Sequence, residues 1–158
     1  MSGPFTGTLA SIVSGEKING TDLGNWHDIF DALSGPWTAF TPGLTNVTVG
    51  NGTLAASYMQ VIKLVHFKIS LTFGSSTTFG TLPNSPRFAL PVTAADSIAV
   101  MPCILYDNSA AATRNPGICT LNSSTLVPYG PNGDVDSAHP FTWAVSDVFR
   151  VSGTYEAA

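Results

Sequence analysis

Apolar and polar side chains alternate along most of the chain after residue 37. In the clearest run, from Lys63 to Phe73, apolar side chains occupy every second position and mostly polar ones stand between them. Turn signals bracket this run, with Gly50-Asn51-Gly52 before it and Gly74-Ser75-Ser76 after it. The pattern predicts a β-strand with one buried face. Further strands are predicted at Thr53–Gln60, Phe88–Leu90, Ile98–Tyr106, Ile118–Leu121 and Asp147–Tyr155.

Clusters of Gly, Pro, Asn and Ser separate the predicted strands. Proline disrupts a strand interior, so we expect the prolines between strands in connecting segments. Many short strands without a second helix predict an all-β fold, an antiparallel β-sandwich of jelly-roll type, with a barrel as the alternative. The prolines expected in connections are Pro83, Pro86, Pro116, Pro131 and Pro140.

The first 36 residues have a different period. Apolar side chains recur there every three or four residues after a capping residue, Thr21 or Asp22, and Gly35-Pro36 ends the run. This predicts one amphipathic helix of about three turns, too short to bury its own apolar stripe. We therefore expect a docking segment at residues 1–36 and a β-domain at residues 37–158. The expected docking side chains are Phe5, Leu9, Leu23, Trp26, Ile29, Phe30 and Leu33.

Charge is scarce in this chain. Only 10% of its 158 residues are charged, 44% are hydrophobic, and the formal net charge is -4. Disordered chains are rich in charge, and nucleic-acid binders need a basic surface that six Lys and Arg do not supply. The longest mostly apolar run, Ile98 to Tyr106, is about half of the ~20 residues that a spanning helix needs. We expect a surface of uncharged polar residues that partners cover in part.

No residue pattern in the chain predicts catalysis. The three histidines, His27, His66 and His139, are far apart, and no nucleophile elbow, phosphate loop or dinucleotide motif is present. The eight Asp and two Glu select no carboxylate pair. We therefore expect no enzyme, no catalytic residue, no metal site and no cofactor.

The two cysteines, Cys103 and Cys119, each lie in an apolar stretch. Free buried thiols and a cross-strand disulfide are both compatible with this spacing. The first residues, from Met1 to Thr6, lack the basic and apolar regions of a secretory signal. We therefore expect synthesis and folding in a cytoplasm.

Three aromatic residues near predicted loops, Tyr106, Tyr129 and Trp143, are candidates for contact with a sugar. Aromatic rings present an apolar face and a polar rim, which suits stacking on a sugar ring. The alternative interpretation is that these rings anchor strand ends.

Several stretches resemble small virion structural proteins of tailed phages that infect actinobacteria, of the minor tail, fibre or capsid-decoration type. The resemblance spans nearly the whole chain. One departure is Ile62, where the family pattern has Gly in the turn before the long strand. The stretches are Ser14–Ile18, Asp22-Leu23, Ala32-Leu33, Trp37–Pro42, Val49–Leu54, Tyr58–Val61, Lys63–Gly74, Ser75–Gly80, Leu90–Val92 and Val151–Glu156.

The resemblance implies a β-sandwich that assembles as a homotrimer, with an N-terminal segment that attaches it to the major capsid or tail protein of the particle. Such a protein stabilises the virion and aids adhesion to a surface. A carbohydrate- or receptor-binding module of the tail tip, which contacts a host cell-surface glycan, is the alternative. The expected location is a virion assembled in the host cytoplasm, with no nucleic-acid or membrane partner, and the choice between capsid and tail stays open.

Overall fold

Strands alone make up the regular structure of residues 35–110, 112–122 and 124–158, which are the residues that the computed structural model describes. All their pairings are antiparallel, so the expectation of an all-β antiparallel fold is confirmed. The predicted helix and the docking side chains lie outside the described residues. The strands are β1 (Thr38–Ala39), β2 (Leu44–Thr45), β3 (Val47–Thr48), β4 (Thr53–Val61), β5 (Leu64–Thr72), β6 (Thr78–Phe79), β7 (Arg87–Ala89), β8 (Val100–Asp107), β9 (Thr113–Asn122), β10 (Thr125–Gly130), β11 (Gly133–Asp134) and β12 (Val148–Glu156).

Ten of these strands form one strongly curled sheet, a half-barrel, within the compact unit of residues 36–158. The strand order is β1-β4-β5-β12-β8-β9-β10-β7-β2, and β11 pairs with β10 beside this path. β3 and β6 form a separate two-stranded ribbon. The last strand, β12, lies between β5 and β8, so the C-terminal part of the chain occupies a central position in the sheet.

β5 confirms the clearest sequence pattern in the chain. Its odd-numbered side chains, from Val65 to Leu71, are at most 1% exposed and belong to the hydrophobic core. Its even-numbered side chains point to the opposite side of the sheet, which we call the outer face. The pairing with β12 places Ser152 opposite Lys68 and Arg150 opposite Ser70 on that face.

Aromatic rings fill the centre of the core. Phe88 of β7 stacks on Phe149 of β12, with ring centroids 4.8 Å apart and planes 17° apart. Phe79 of β6 meets both rings edge-on at 6.3 Å and contacts Phe73 at 4.9 Å. Edge-to-face and offset stacked pairs are the favoured geometries of aromatic rings. Phe79 therefore fastens the β3–β6 ribbon to the main sheet.

The expectation that Pro116 lies in a connection is wrong, because it lies inside β9 opposite Ile104. The ladder from β10 reaches β9 only as far as Ile118, so one side of β9 is unpaired at residue 116. Proline lacks an N–H group and is tolerated where no ladder bond is needed. Pro102 of β8 has the same setting, since the ladder from β12 ends at Cys103.

Candidate functional site

An open groove of about 610 Å³ lies on the outer face, across β4, β5, β12 and β8. The groove exists because the side chains at its centre, on the outer face of these strands, are small. The small residues that line it are Ala55, Ser57, Ser70 and Ser152, with Pro102 and Ile104 on the β8 side. Two cationic residues, Lys68 and Arg150, complete the lining of the outer face.

Lys68 and Arg150 stand at diagonal positions of neighbouring strands. Lys68 is opposite Ser152 and Arg150 is opposite Ser70, so two residues of register separate the two positively charged side chains. Diagonal neighbours in an antiparallel pair lie roughly 7–8 Å apart, within reach of long side chains. No carboxylate lines the groove. The outer face is therefore locally positive in a chain whose net charge is -4.

The aromatic ring of Trp37 contacts the ammonium group of Lys68. The Lys68 ammonium lies 4.2 Å from the centroid of the Trp37 ring, a cation–π distance. Trp37 also meets the ring of His66 edge-on at 5.2 Å, and His66 Nδ1 lies 2.9 Å from Thr154 Oγ1. These contacts restrict the positions open to the Lys68 side chain at the groove.

The three residues predicted to contact a glycan do not meet at one point. Tyr106 lies on the outer face, where the Arg114 guanidinium stacks over its ring at 4.8 Å. Tyr129 of β10 is half-buried opposite Ile118, four positions along β9 from Arg114. At about 3.4 Å per residue, four positions are about 14 Å. Tyr106 and Tyr129 therefore lie on the two strands that flank β9, but they are too far apart to form one site.

Trp143 belongs to the aromatic cluster of the core. Its ring stacks on Phe73 with centroids 4.7 Å apart and planes 18° apart, and it meets Phe79 edge-on at 4.9 Å. Phe141 lies against it at 4.5 Å. The indole is half-buried in this packing. Glycan contact by Tyr106, Tyr129 and Trp143 stays a prediction.

Two buried carboxylates organise the loops next to β12. The side chain of Asp147, which is fully buried, accepts hydrogen bonds from the backbone N–H groups of Asn108, Ser109 and Ala144 at 2.7–2.9 Å. Asp136 accepts bonds from the backbone of Ala138 and His139 at 2.7 Å, and His139 Nδ1 lies 2.8 Å away. Both carboxylates accept hydrogen bonds from groups of the neighbouring loops, so their role is structural.

The carboxyl pKa of Asp136 lies below its usual range. Burial favours the neutral acid, but the hydrogen bonds from Ala138 and His139 outweigh that effect and stabilise the carboxylate. Within the described ranges, no group of three or more His, Cys, Asp or Glu is arranged to hold a metal ion.

Cys103 and Cys119 are buried free thiols. They lie on the core side of β8 and β9 at diagonal positions, because Cys103 is opposite Gly117 and Cys119 is opposite Met101. A hydrogen bond between the two thiols, together with burial, raises the pKa of Cys119. Of the two alternatives that the sequence left open, the structure has the free thiols.

Comparison of the chain with protein-family models, with curated proteins and with solved structures gives no match. The part of the chain that the structure describes has no helix of the length and apolarity needed to cross a membrane.

The groove is the feature that sequence reasoning missed. The alternation of β5 placed Lys68 on a polar face, but nothing in the sequence shows that β12 lies beside β5. Arg150 and Ser152 come from that partner strand. The pairing register, which joins residues more than 70 positions apart, is what creates the site.

Proposed function

We propose that the chain is a virion structural protein of a tailed phage, a homotrimeric decoration or fibre knob. Residues 1–36 attach it to the capsid or tail, and the β-domain stabilises the particle and aids surface adhesion. In this proposal the half-barrel and the β3–β6 ribbon form a sandwich of jelly-roll type behind an N-terminal amphipathic helix. The resemblance of the chain to such proteins and its low charge support the proposal.

The observation behind the trimer is an apolar surface at one end of the sheet, which we call the apolar end. Its side chains are Ile62, Leu64, Ile98 and Val100, with exposed fractions of 89%, 58%, 81% and 59%. Leu64 pairs with Glu156 in the sheet, and the Glu156 carbonyl accepts a hydrogen bond from the amide of Ala95, three residues before Ile98.

An exposed aliphatic cluster of this kind is typical of a subunit contact. Charged residues are depleted in the cores of interfaces, and contiguous apolar patches on a soluble protein mark interaction sites. At the apolar end the only charged pair among the described residues is Lys63 with Glu156, whose side chains are 3.9 Å apart and largely exposed. Such a pair at the rim adds little affinity and fixes orientation.

The backbone at Ile62 supports the same interpretation. Ile62 is the first residue of the two-residue turn between β4 and β5, and its φ is 57°. Type I′ and type II′ turns both have a positive φ at this position, and Lys63 is not among the positive-φ residues, so the turn is of type II′. This position favours Gly and disfavours a β-branched residue. An exposed Ile that strains its turn contributes nothing to the isolated subunit, so a partner surface accounts for it best.

Light scattering tests the trimer. The full chain should give a mass three times its 16.5 kDa. Ile98→Asp should lower the mass toward that of one chain, because a carboxylate would be buried without a partner. The matched control is Val145→Asp, since Val145 is 51% exposed in the loop before β12. A monomer at micromolar concentration in the unmodified protein would contradict the trimer.

Particle assembly tests the attachment. A chain that lacks residues 1–36 should keep a folded β-domain and fail to enter particles. Normal incorporation of the shortened chain would disprove attachment through this segment. Imaging of the particle would then assign the protein to the capsid or to the tail.

The second candidate function is a carbohydrate- or receptor-binding module of the tail tip. Tyr106 favours it, because its ring lies on the outer face beside Arg114, where an apolar face and a cation adjoin. Tyr106→Ala should then weaken adsorption to host cell-wall glycan, and unchanged adsorption would count against this function.

A further inference from the structure

The outer-face groove has the dimensions of a small-molecule site. Its volume of about 610 Å³ falls within the roughly 300–1,000 Å³ of typical ligand pockets. Four strands contribute to it, and a curled sheet is a rigid support. The groove and the apolar end share no residue, although they adjoin on the outer face, where Val100 of the apolar end and Pro102 of the groove are two residues apart on β8.

Among the described residues, the two cationic side chains of the groove have no acidic partner. In the described ranges the Arg150 guanidinium forms no ion pair and no hydrogen bond with another residue, and the Lys68 ammonium has no ion pair but a cation–π contact with Trp37. Two cations at diagonal positions repel each other, and no carboxylate lines the groove to offset this. Lys63, by contrast, lies 3.9 Å from Glu156. An anion between Lys68 and Arg150 would remove the repulsion.

The remaining groups indicate what kind of anion fits. A guanidinium pairs with a carboxylate or a phosphate through two parallel hydrogen bonds. The hydroxyls of Ser57, Ser70 and Ser152 each donate and accept, which suits the hydroxyls of a sugar. Ile104 offers an apolar wall to the C–H face of a sugar ring. An inorganic anion would use the two cations and leave these other groups unused.

We propose that the groove binds an anionic sugar, a monosaccharide unit that bears a carboxylate or a phosphate. Arg150 and Lys68 bind the anionic group, the three serines bind hydroxyls, and Ile104 packs against the ring. This site goes beyond the structural role proposed above and does not rest on it. It also uses none of Tyr106, Tyr129 and Trp143.

Isothermal titration of the full-length chain tests the site with four probes: glucuronate, glucose 1-phosphate, glucose and inorganic phosphate. We expect at least one of the two anionic sugars to bind with a Kd of about 1 mM or tighter. Glucose should bind at least tenfold more weakly because it lacks the charge. Comparison of glucuronate with glucose 1-phosphate identifies the preferred anionic group.

Three variants connect the binding to the groove. Arg150→Gln should weaken binding of the anionic sugar at least tenfold, whereas Arg87→Gln, in β7 outside the groove, should leave it unchanged. Ser152→Leu keeps both cations and fills the groove, so it should also abolish binding. Far-ultraviolet circular dichroism and the urea midpoint verify that each variant folds.

Four outcomes would overturn the proposal. They are no binding of either anionic sugar, equal binding of glucose, inorganic phosphate binding as tightly as the sugars, and unchanged binding by Arg150→Gln or Ser152→Leu. The third outcome would reduce the site to a general attraction for anions. None of them bears on the oligomer mass or on particle incorporation, so this proposal and the structural one fail separately.

Discussion

The phenol of Tyr155 hydrogen-bonds both backbone groups of Val92: it donates to the carbonyl oxygen at 2.7 Å and accepts from the amide at 3.2 Å. This pair ties the segment after β7 to β12 across 63 positions of sequence. The ring is 4% exposed and packs edge-on against Phe67. Burial raises the pKa of Tyr155, so the phenol stays neutral and able to donate at physiological pH.

Tyr155→Phe should destabilise the protein by about 2 kcal/mol, because it leaves the Val92 amide and carbonyl without their partner in a packed region. Urea unfolding measures the loss. The control is Tyr106→Phe, which keeps the ring that Arg114 covers. A loss no larger than that of the control would show that the hydroxyl contributes nothing.

Gly117→Ala should destabilise the protein by about 1–3 kcal/mol, the usual cost of overpacking. A Cβ at residue 117 would lie 2.4 Å from the Tyr129 carbonyl oxygen and 2.9 Å from Cys103 Sγ. The first of these is backbone and cannot rotate away. Gly43→Ala is the control, since its added Cβ meets only the Ala89 Cβ at 3.4 Å. Equal melting temperatures for the two variants would contradict the prediction.

Asp147→Asn should cost about 3 kcal/mol, because three backbone N–H groups point at a carboxylate and an amide offers only one oxygen. Its NH₂ group would face an N–H donor on one side. Differential scanning calorimetry measures the change against Asp134→Asn, an exposed substitution in β11. If both variants unfold alike, the carboxylate of Asp147 does not organise these loops.

The stability contributed by Asp136 should depend on pH. Its folded-state pKa is lower than the unfolded value near 4, so ionisation favours the folded state. The contribution is complete above about pH 5 and is lost as the pH falls below about 4 through the folded-state pKa. Asp136→Asn should therefore be less stable than the unmodified protein at pH 7, and the gap should narrow at pH 3. Urea curves that stay equally separated at both pH values would exclude this linkage.

Ile62→Gly should have opposite effects on the subunit and on the trimer. Removing a β-branched side chain at a φ of 57° relieves backbone strain, so the subunit should gain about 0.5–1 kcal/mol after the entropy cost of Gly. The same change deletes a side chain of the apolar end, so the mass in light scattering should fall at a given concentration. Urea unfolding of dilute protein measures the first effect. A more stable subunit with an unchanged trimer would remove Ile62 from the contact.

The sequence predicts the strands whose apolar period is strong. The run Lys63–Phe73 corresponds to β5 and the run Thr53–Gln60 to β4, each within a residue at the ends. β10 was missed, because its Pro128 interrupts the pattern. β9 begins five residues before its predicted start, because Pro116 and Gly117 obscure it. The pattern reflects side-chain burial, and it fails where the backbone pairing tolerates a residue that usually breaks strands.

The candidate site could not be predicted from the sequence, because its residues become neighbours only through strand pairing. Lys68 and Arg150 are two ordinary polar-face residues on strands that other elements separate. Only the order β4-β5-β12-β8 makes them neighbours, and local periodicity holds no information on strand order. The Ile62 turn is the contrasting case, since the sequence marked Ile62 as a departure from the family pattern and the structure adds its positive φ.

Each end of the ten-stranded sheet is a strand of two residues, β1 on one side and β2 on the other. β1 pairs with only two of the nine residues of β4, Ser57 and Tyr58, so most of this edge of β4 has no strand partner among the described residues. Free amide and carbonyl groups along a strand edge are a template onto which another extended segment can add. The sheet can therefore grow at β4 by strand addition, in addition to any contact through side-chain surfaces.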